Sequence, residues 1–310
     1  MHVLLTGAAG FLGSHVARAL LIRGIRTTAV VRPGGDAWRI ADLRTQLTMV
    51  AADLNDAALL ERTLAEVSPD VVCDLAWEGV GNRFRDDPRQ VEANLSAHVQ
   101  LVGAAGRAGC RRWVGLGSQA EYGPRPALID EECPPAPVTV YGTVKLCLAL
   151  LGRKLATQAG MEFVWLRLFS TYGPMDAASW LIPSTTLVLL RGERPTLTAG
   201  TQKWDYLFVE DAALAVVEAV TAPQLDGVYN LGSGRAVPVI EIVQMIRDLI
   251  DPRLPLGVGE IPYRPDQIMH LEADITKLCR AIPWRPTTDL ADGLARTVAW
   301  YREHRERHAG

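Results

Sequence analysis

The chain has 310 residues, 48% hydrophobic and 22% charged, with a formal net charge of −3 at pH 7. That length holds one large α/β domain or one domain with a smaller companion, and the slightly acidic balance excludes a nucleic-acid partner gripped through phosphates. No apolar run is long enough to cross a bilayer, so no membrane partner is expected.

The opening residues Met1 to Thr6 reach their first glycine too soon for a signal peptide. Val3-Leu4-Leu5 is a short apolar strand, and Ser14 to Ile22 carries apolar residues at helical spacing. Thr27 to Val31 is a β-branched strand, so the N-terminus reads as a βαβ unit. Strands follow at Leu47–Val50, Val71–Leu75, Arg112–Leu116 and Phe163–Leu168. Helices are expected at Ala57–Glu66, Pro88–Ala108 and Val140–Thr157. This alternation predicts an α/β fold with a doubly wound parallel sheet of the Rossmann type. After Gly173-Pro174 come a helix at Trp180–Leu190, a polar stretch to Gln202, and strands at Asp205–Phe208 and Val228–Leu231 that return to the main sheet. Helices at Val209–Ala222, Pro238–Ile250 and Leu290–His304 complete the chain. The expected division is a dinucleotide-binding domain of residues 1–172 and 203–234, with a smaller C-terminal α/β substrate lobe of 173–202 and 235–310. The cysteines, Cys73, Cys110, Cys133, Cys147 and Cys279, are odd in number and lack CxxC spacing. They predict no metal site and no disulfide framework, and a cytoplasmic location.

The glycines Gly7, Gly10 and Gly13 close the first strand and open the first helix, the context a dinucleotide fingerprint requires. Gly7 permits the sharp turn, Gly10 lets backbone approach a diphosphate, and Gly13 lets helix and strand pack closely. The helix N-terminus offers free N–H groups to the anion. An acid at the end of the second strand would bind the ribose 2′-OH of NAD; this chain has Arg32 there, suited to a 2′-phosphate. NADP(H) is the preferred cofactor, NAD(H) the alternative. Asp53 either accepts from the adenine amino group or caps the helix after it.

Tyr141 and Lys145 stand four apart on one helix face, and Ser118 ends an apolar strand. A tyrosine beside a Lys⁺ exchanges a proton with a carbonyl or alcohol oxygen, and Ser118 would hydrogen-bond that same oxygen. The loop Trp77 to Arg85 lies at the ligand-binding edge of such a sheet, which makes Asn82 and Arg83 candidate substrate contacts.

Further pieces are Asp74-Leu75-Ala76, Asn94, Glu121-Tyr122-Gly123, Tyr172-Gly173-Pro174, Asp205-Tyr206, Asn230 to Gly234 and Tyr263-Arg264-Pro265. With these, the chain resembles, end to end, the extended short-chain dehydrogenase/reductase family of NAD(P)-dependent nucleotide-sugar epimerases, dehydratases and reductases. The resemblance implies that Tyr141 is the acid/base, that Lys145 binds the nicotinamide ribose and that Ser118 orients the substrate. It adds Phe11, Leu12, Leu54, Leu75, Ala76 and Asn94 to the cofactor site. It also implies substrate contacts at Gln119, Ser170 and Arg264, and a homodimer formed through the helices at 88–108 and 140–157. Family dehydratases keep an Asp-Glu pair where this chain has Gln119 and Ala120, so dehydration is not expected, and Glu121 stands one position too far on. Ser170 and Trp204 also depart from the family's usual Asn and Arg. The expected activity is an NADPH-dependent reduction of a nucleotide-linked 4-keto-6-deoxyhexose in deoxysugar biosynthesis. A 4-epimerase is the alternative. A non-catalytic NADP-sensing regulator ranks last, because tyrosine and lysine are both retained.

Overall fold

The computed structural model describes residues 1–125 and 128–308, with the side chains of Asn82 and His308 outside that description. In β1 (His2–Thr6) every residue is buried, as a strand covered on both faces requires. Val3 and Leu5 join the core beneath α1 (Phe11–Ile22) and α6 (Val209–Thr221). Leu4 faces the opposite layer of α2 (Ala57–Val67), α3 (Ser96–Arg107) and α4 (Val140–Gln158). The strands β2 (Arg26–Val31), β3 (Thr48–Ala51), β4 (Val71–Asp74), β5 (Arg112–Ser118) and β6 (Glu162–Leu168) are parallel to β1. With β10 (Gly227–Leu231) they form a seven-stranded sheet among the described residues, in the order β10-β6-β5-β4-β1-β2-β3. The doubly wound parallel sheet read from the sequence is therefore present. The strand order reverses at β1, which has β2 on one side and β4 on the other, and sheets of this kind bind ligands at the carboxyl ends beside such a switch point.

A second core joins α5 (Leu181–Leu190), α7 (Val239–Ile250) and α9 (Leu290–Glu303) through Ile182, Leu189, Ile242, Ile246, Leu294 and Val298. The expected return of 205–208 to the main sheet is corrected by the structure. β8 (Lys203–Asp205) pairs instead with β11 (Ala236–Pro238) and β12 (His270–Leu271), and β9 (Leu207–Phe208) pairs with β7 (Thr171–Tyr172). The cause lies in Asp205, whose buried carboxylate accepts the N–H groups of Ser233, Gly234 and Ala273 and ties this segment to the chain beyond β10. The expected helix at 88–108 is also modified: residues Val91–Leu95 form a π-turn before α3 starts. Asn94 lies in that turn and bonds back to the Gln90 carbonyl. Sequence periodicity missed the short α8 (Thr276–Ala281) and the 3₁₀ turn at Trp38–Leu43. No helix among the described residues is long and apolar enough to cross a membrane.

Candidate active site

The glycine turn is built for close approach. Gly7 has φ +68°, and a Cβ there would lie 2.7 Å from Ala76 N; a Cβ on Gly13 would lie 2.0 Å from Gly7 O. Gly10 is the N-cap of α1 and no side chain caps that helix. The first-turn N–H groups, Phe11 and Leu12 among them, are thus left for an anion. Below the turn, Thr6 Oγ1 accepts from Ala76 N at 3.2 Å and donates to Asp74 Oδ1 at 2.5 Å, and Asp74 Oδ2 meets His98 Nδ1 at 2.5 Å. This chain of bonds ties the ends of β1 and β4 to α3. The uncapped N-terminus, at a turn whose glycines let β1, α1 and the end of β4 approach closely, fits a dinucleotide diphosphate.

The remaining cofactor candidates lie around this turn with varied partners. Leu54 and Leu75 are half-buried and pack onto the two main cores, and Ala76 lines the turn itself. Arg32 is exposed and donates to Glu78 Oε2 at 2.8 Å. Glu78 belongs to the loop after β4, so this pair reaches across the end of β1. Asp53 is exposed and accepts from Asn55 N; the helix cap expected of it is corrected, since Asp56 caps α2 by accepting from Leu59 N. Asn94 is buried; it accepts from Glu78 N and donates to Glu78 O and to Gln90, so in this structure it fixes the loop carrying Glu78.

The fold brings Ser118, Tyr141 and Lys145 together where β5 ends against the start of α4. All three are buried, Lys145 to 3% exposure. Thr139 caps α4 by accepting from Gly142 N, which sets the register of the tyrosine and the lysine. Gly142 is required here, since a Cβ would lie 2.4 Å from Ala120 O. Burial pushes the Tyr141 phenol up to about 12; the Ser118 hydroxyl and then Arg85 oppose this, while Glu121 adds to it. Burial pulls Lys145 down to about 7 against the carboxylates of Asp74 and Glu121. Its Nζ donates to Leu116 O at 2.6 Å and lies 3.5 Å from the ring centroid of Trp77.

Glu121 is fully buried and its oxygens have fixed partners. Oε1 accepts from Ser118 N and Trp165 Nε1, and Oε2 from Arg167 Nε at 2.7 Å. It is a structural carboxylate that holds the turn after β5.

Among the substrate candidates, Gln119 is buried and its Oε1 has no partner, an acceptor left for a ligand. Ser170 Oγ accepts from Trp204 Nε1 at 2.8 Å, so the two family departures face each other. Arg83 is exposed, with its guanidinium 4.5 Å over the Phe84 ring. Arg264 is exposed and stands 3.9 Å from Asp266. The side chain of Asn82 lies outside the described residues.

Two site residues escaped the sequence reading. Arg85 accepts Tyr141 N on its carbonyl at 2.8 Å, and its Nε is buried without a partner. Trp77 stands edge-on to Tyr141, with ring centroids 5.8 Å apart. Both sit in the loop already marked as the ligand edge, and that position was the one available signal.

The profile of the "NAD dependent epimerase/dehydratase family" matches residues 3–232. The chain is 30% identical to a UDP-glucose 4-epimerase of Azospirillum brasilense over 97% of this chain and 92% of that protein. Among solved structures, MoeE5 in complex with UDP-glucuronic acid and NAD superposes with a TM-score of 0.86 at 30% identity, covering 98% of this chain and 100% of that one. DesIV, a dTDP-glucose 4,6-dehydratase from Streptomyces venezuelae with NAD bound, gives 0.90 at 26% identity, covering 99% and 98%.

Proposed function

Because the chain belongs to the NAD dependent epimerase/dehydratase family, we propose that it is a nucleotide-sugar 4-epimerase that retains NAD through turnover. The observation that carries this reading is Glu121. The carboxylate nearest the Ser118–Tyr141 pair is locked by Ser118 N, Trp165 and Arg167. Glu121 is thus not free to act as the acid of an elimination, which leaves proton exchange at one oxygen. Reductase chemistry drew its support from Arg32 as an NADP reader, and that arginine is paired with Glu78. The similarity to a UDP-glucose 4-epimerase and to MoeE5 with UDP-glucuronic acid and NAD favours a UDP-linked hexose and NAD.

NAD held at the Gly7–Gly13 turn would supply a reversible hydride acceptor for C4 and a positive ring charge that would lower the Tyr141 phenol. Ser118 holds O4 by a hydrogen bond. Tyr141 as phenolate takes the O4 proton while the C4 ketone forms, and gives it back when C4 is reduced. Lys145 would hold the ribose hydroxyls and set a cation beside the phenol. Gln119 offers its acceptor to a sugar hydroxyl, and Arg264 offers charge to the diphosphate. In this reading residues 1–172 and 203–234 hold the cofactor, 173–202 and 235–310 shape the sugar site, and two chains pair through α3 and α4.

The test is incubation of the purified protein with UDP-glucose, UDP-glucuronic acid or UDP-N-acetylglucosamine, without added cofactor, read by proton NMR of the anomeric region. The 4-epimer should appear. Tyr141→Phe should lower the rate by about 10³-fold while NAD remains bound. Absence of any 4-epimer, with NADPH oxidation by a 4-keto-6-deoxy nucleotide sugar, would replace this reading with the reductase.

A further inference from the structure

We propose that Trp77 is a positioning residue whose indole face holds the Lys145 ammonium beside Tyr141, and that His98, Asp74 and Gln90 hold the indole. The inference rests on the reading above, in which Tyr141 and Lys145 are the working pair. The indole is fixed on three sides. It stacks on His98 at 5.4 Å and 20°, meets Tyr141 edge-on at 86°, and donates from Nε1 to Gln90 Oε1 at 2.9 Å. Each support is itself held. Gln90 Nε2 donates to Gly79 O and Phe84 O, and His98 is bonded to Asp74, which accepts from Thr6. A continuous set of bonds therefore runs from β1 to the face of one ring.

The ammonium has three donors. One bonds Leu116 O, and the π face of Trp77 takes the charge at 3.5 Å. Among the described residues Leu116 O is the one hydrogen-bond acceptor seen for Nζ, which leaves donor capacity for the ribose in the reading above. Among the described residues no carboxylate forms an ion pair with Lys145. From β4, Asp74 is engaged with His98 and Thr6. From the turn after β5, Glu121 is engaged with Arg167 of β6. Tyr141 lies on the same helix, Arg85 faces Tyr141 from the loop, and Trp165 lies farther from Nζ, at 5.9 Å. The Trp77 face is therefore the closest ring favouring the charged amine, in a site whose burial disfavours it.

A tryptophan that only filled space would be replaced without loss by an apolar side chain of similar reach. A tryptophan that holds the cation would not. The experiment is a titration of NADH binding by fluorescence from pH 6 to pH 10 on protein first freed of its retained NAD, alongside kcat/KM profiles of the holoenzyme, for the wild type, Trp77→Phe and Trp77→Met. In Trp77→Met the basic limb of binding should move down by about one pH unit, a loss of about tenfold in affinity at pH 8. Trp77→Phe should fall between the two. Uniform fluorotryptophan keeps ring shape and weakens the π face; it should lower the basic limb in the wild type and leave Trp77→Phe unmoved. That second arm decides the matter should Trp77→Met fail to fold. Affinity and limb within twofold of wild type in Trp77→Met, or a fluorotryptophan effect equal in both backgrounds or absent from both, overturns the proposal. A wild type that binds no NADH and turns over no nucleotide sugar overturns the functional reading instead.

Discussion

Arg85 is the cation that opposes the rise of the Tyr141 phenol, and its Nε is buried without a partner. Burial lowers the guanidinium from its ordinary value, yet an arginine stays charged in any working range. Its loss has a definite sign. Without that charge the phenolate is less stable, so the phenol titrates higher and the acid limb of the kcat/KM profile moves up. Arg85→Gln should lower kcat/KM at pH 7 by about tenfold and recover as pH rises, and Arg85→Lys should restore part of the loss. A pH–rate profile reads both. Ser118, Tyr141 and Lys145 were legible in the sequence because a strand end and a one-turn helical spacing place them. Arg85 and Trp77 were not, because their roles depend on side chains far away in the chain that only the parallel sheet brings near.

At the scale of elements, the candidate site stands at the strand ends. The loop after β4 is pinned by Asn94 at Glu78, and Glu78 reaches across β1 to Arg32 at the end of β2. Both partners are more than half exposed, at 63% and 55%, so the pair adds little stability. On the proposed reading its effect is on cofactor choice, since a paired Arg32 is less available to a 2′-phosphate. Glu78→Gln should raise the preference for NADP over NAD by about tenfold, measured as the ratio of dissociation constants. The elements of the sheet were legible wherever apolar runs met glycine or an N-cap, as in β1, β5 and α4. The segment 205–208 read as one strand by composition. It is two, because Asp205 turns its carboxylate to the N–H groups of Ser233, Gly234 and Ala273, a long-range choice that no local pattern encodes.

For the whole molecule, that same aspartate is a seam between the main sheet and the small sheet of β8, β11 and β12. Burial pushes its carboxyl up, and the N–H donors hold it down. Asp205→Ala would leave the buried Ala273 N–H and the part-buried Ser233 and Gly234 N–H groups without their acceptor. The expected cost is about 3 kcal/mol or more, read as a lower urea midpoint. The order of the main sheet also follows the order in which its strands are synthesised. Strands β3, β2, β1 and β4 all come from residues 2–74 and adjoin one another. Each later strand, β5, then β6, then β10, is added to the outer edge of the one before it. As the chain emerges the sheet grows in a single direction from its N-terminal half, and the edge strand that ends the growth is made only at residues 227–231. A chain interrupted earlier presents β6 as a bare, apolar edge, so the last strand is also the cap that keeps the sheet from pairing with another molecule.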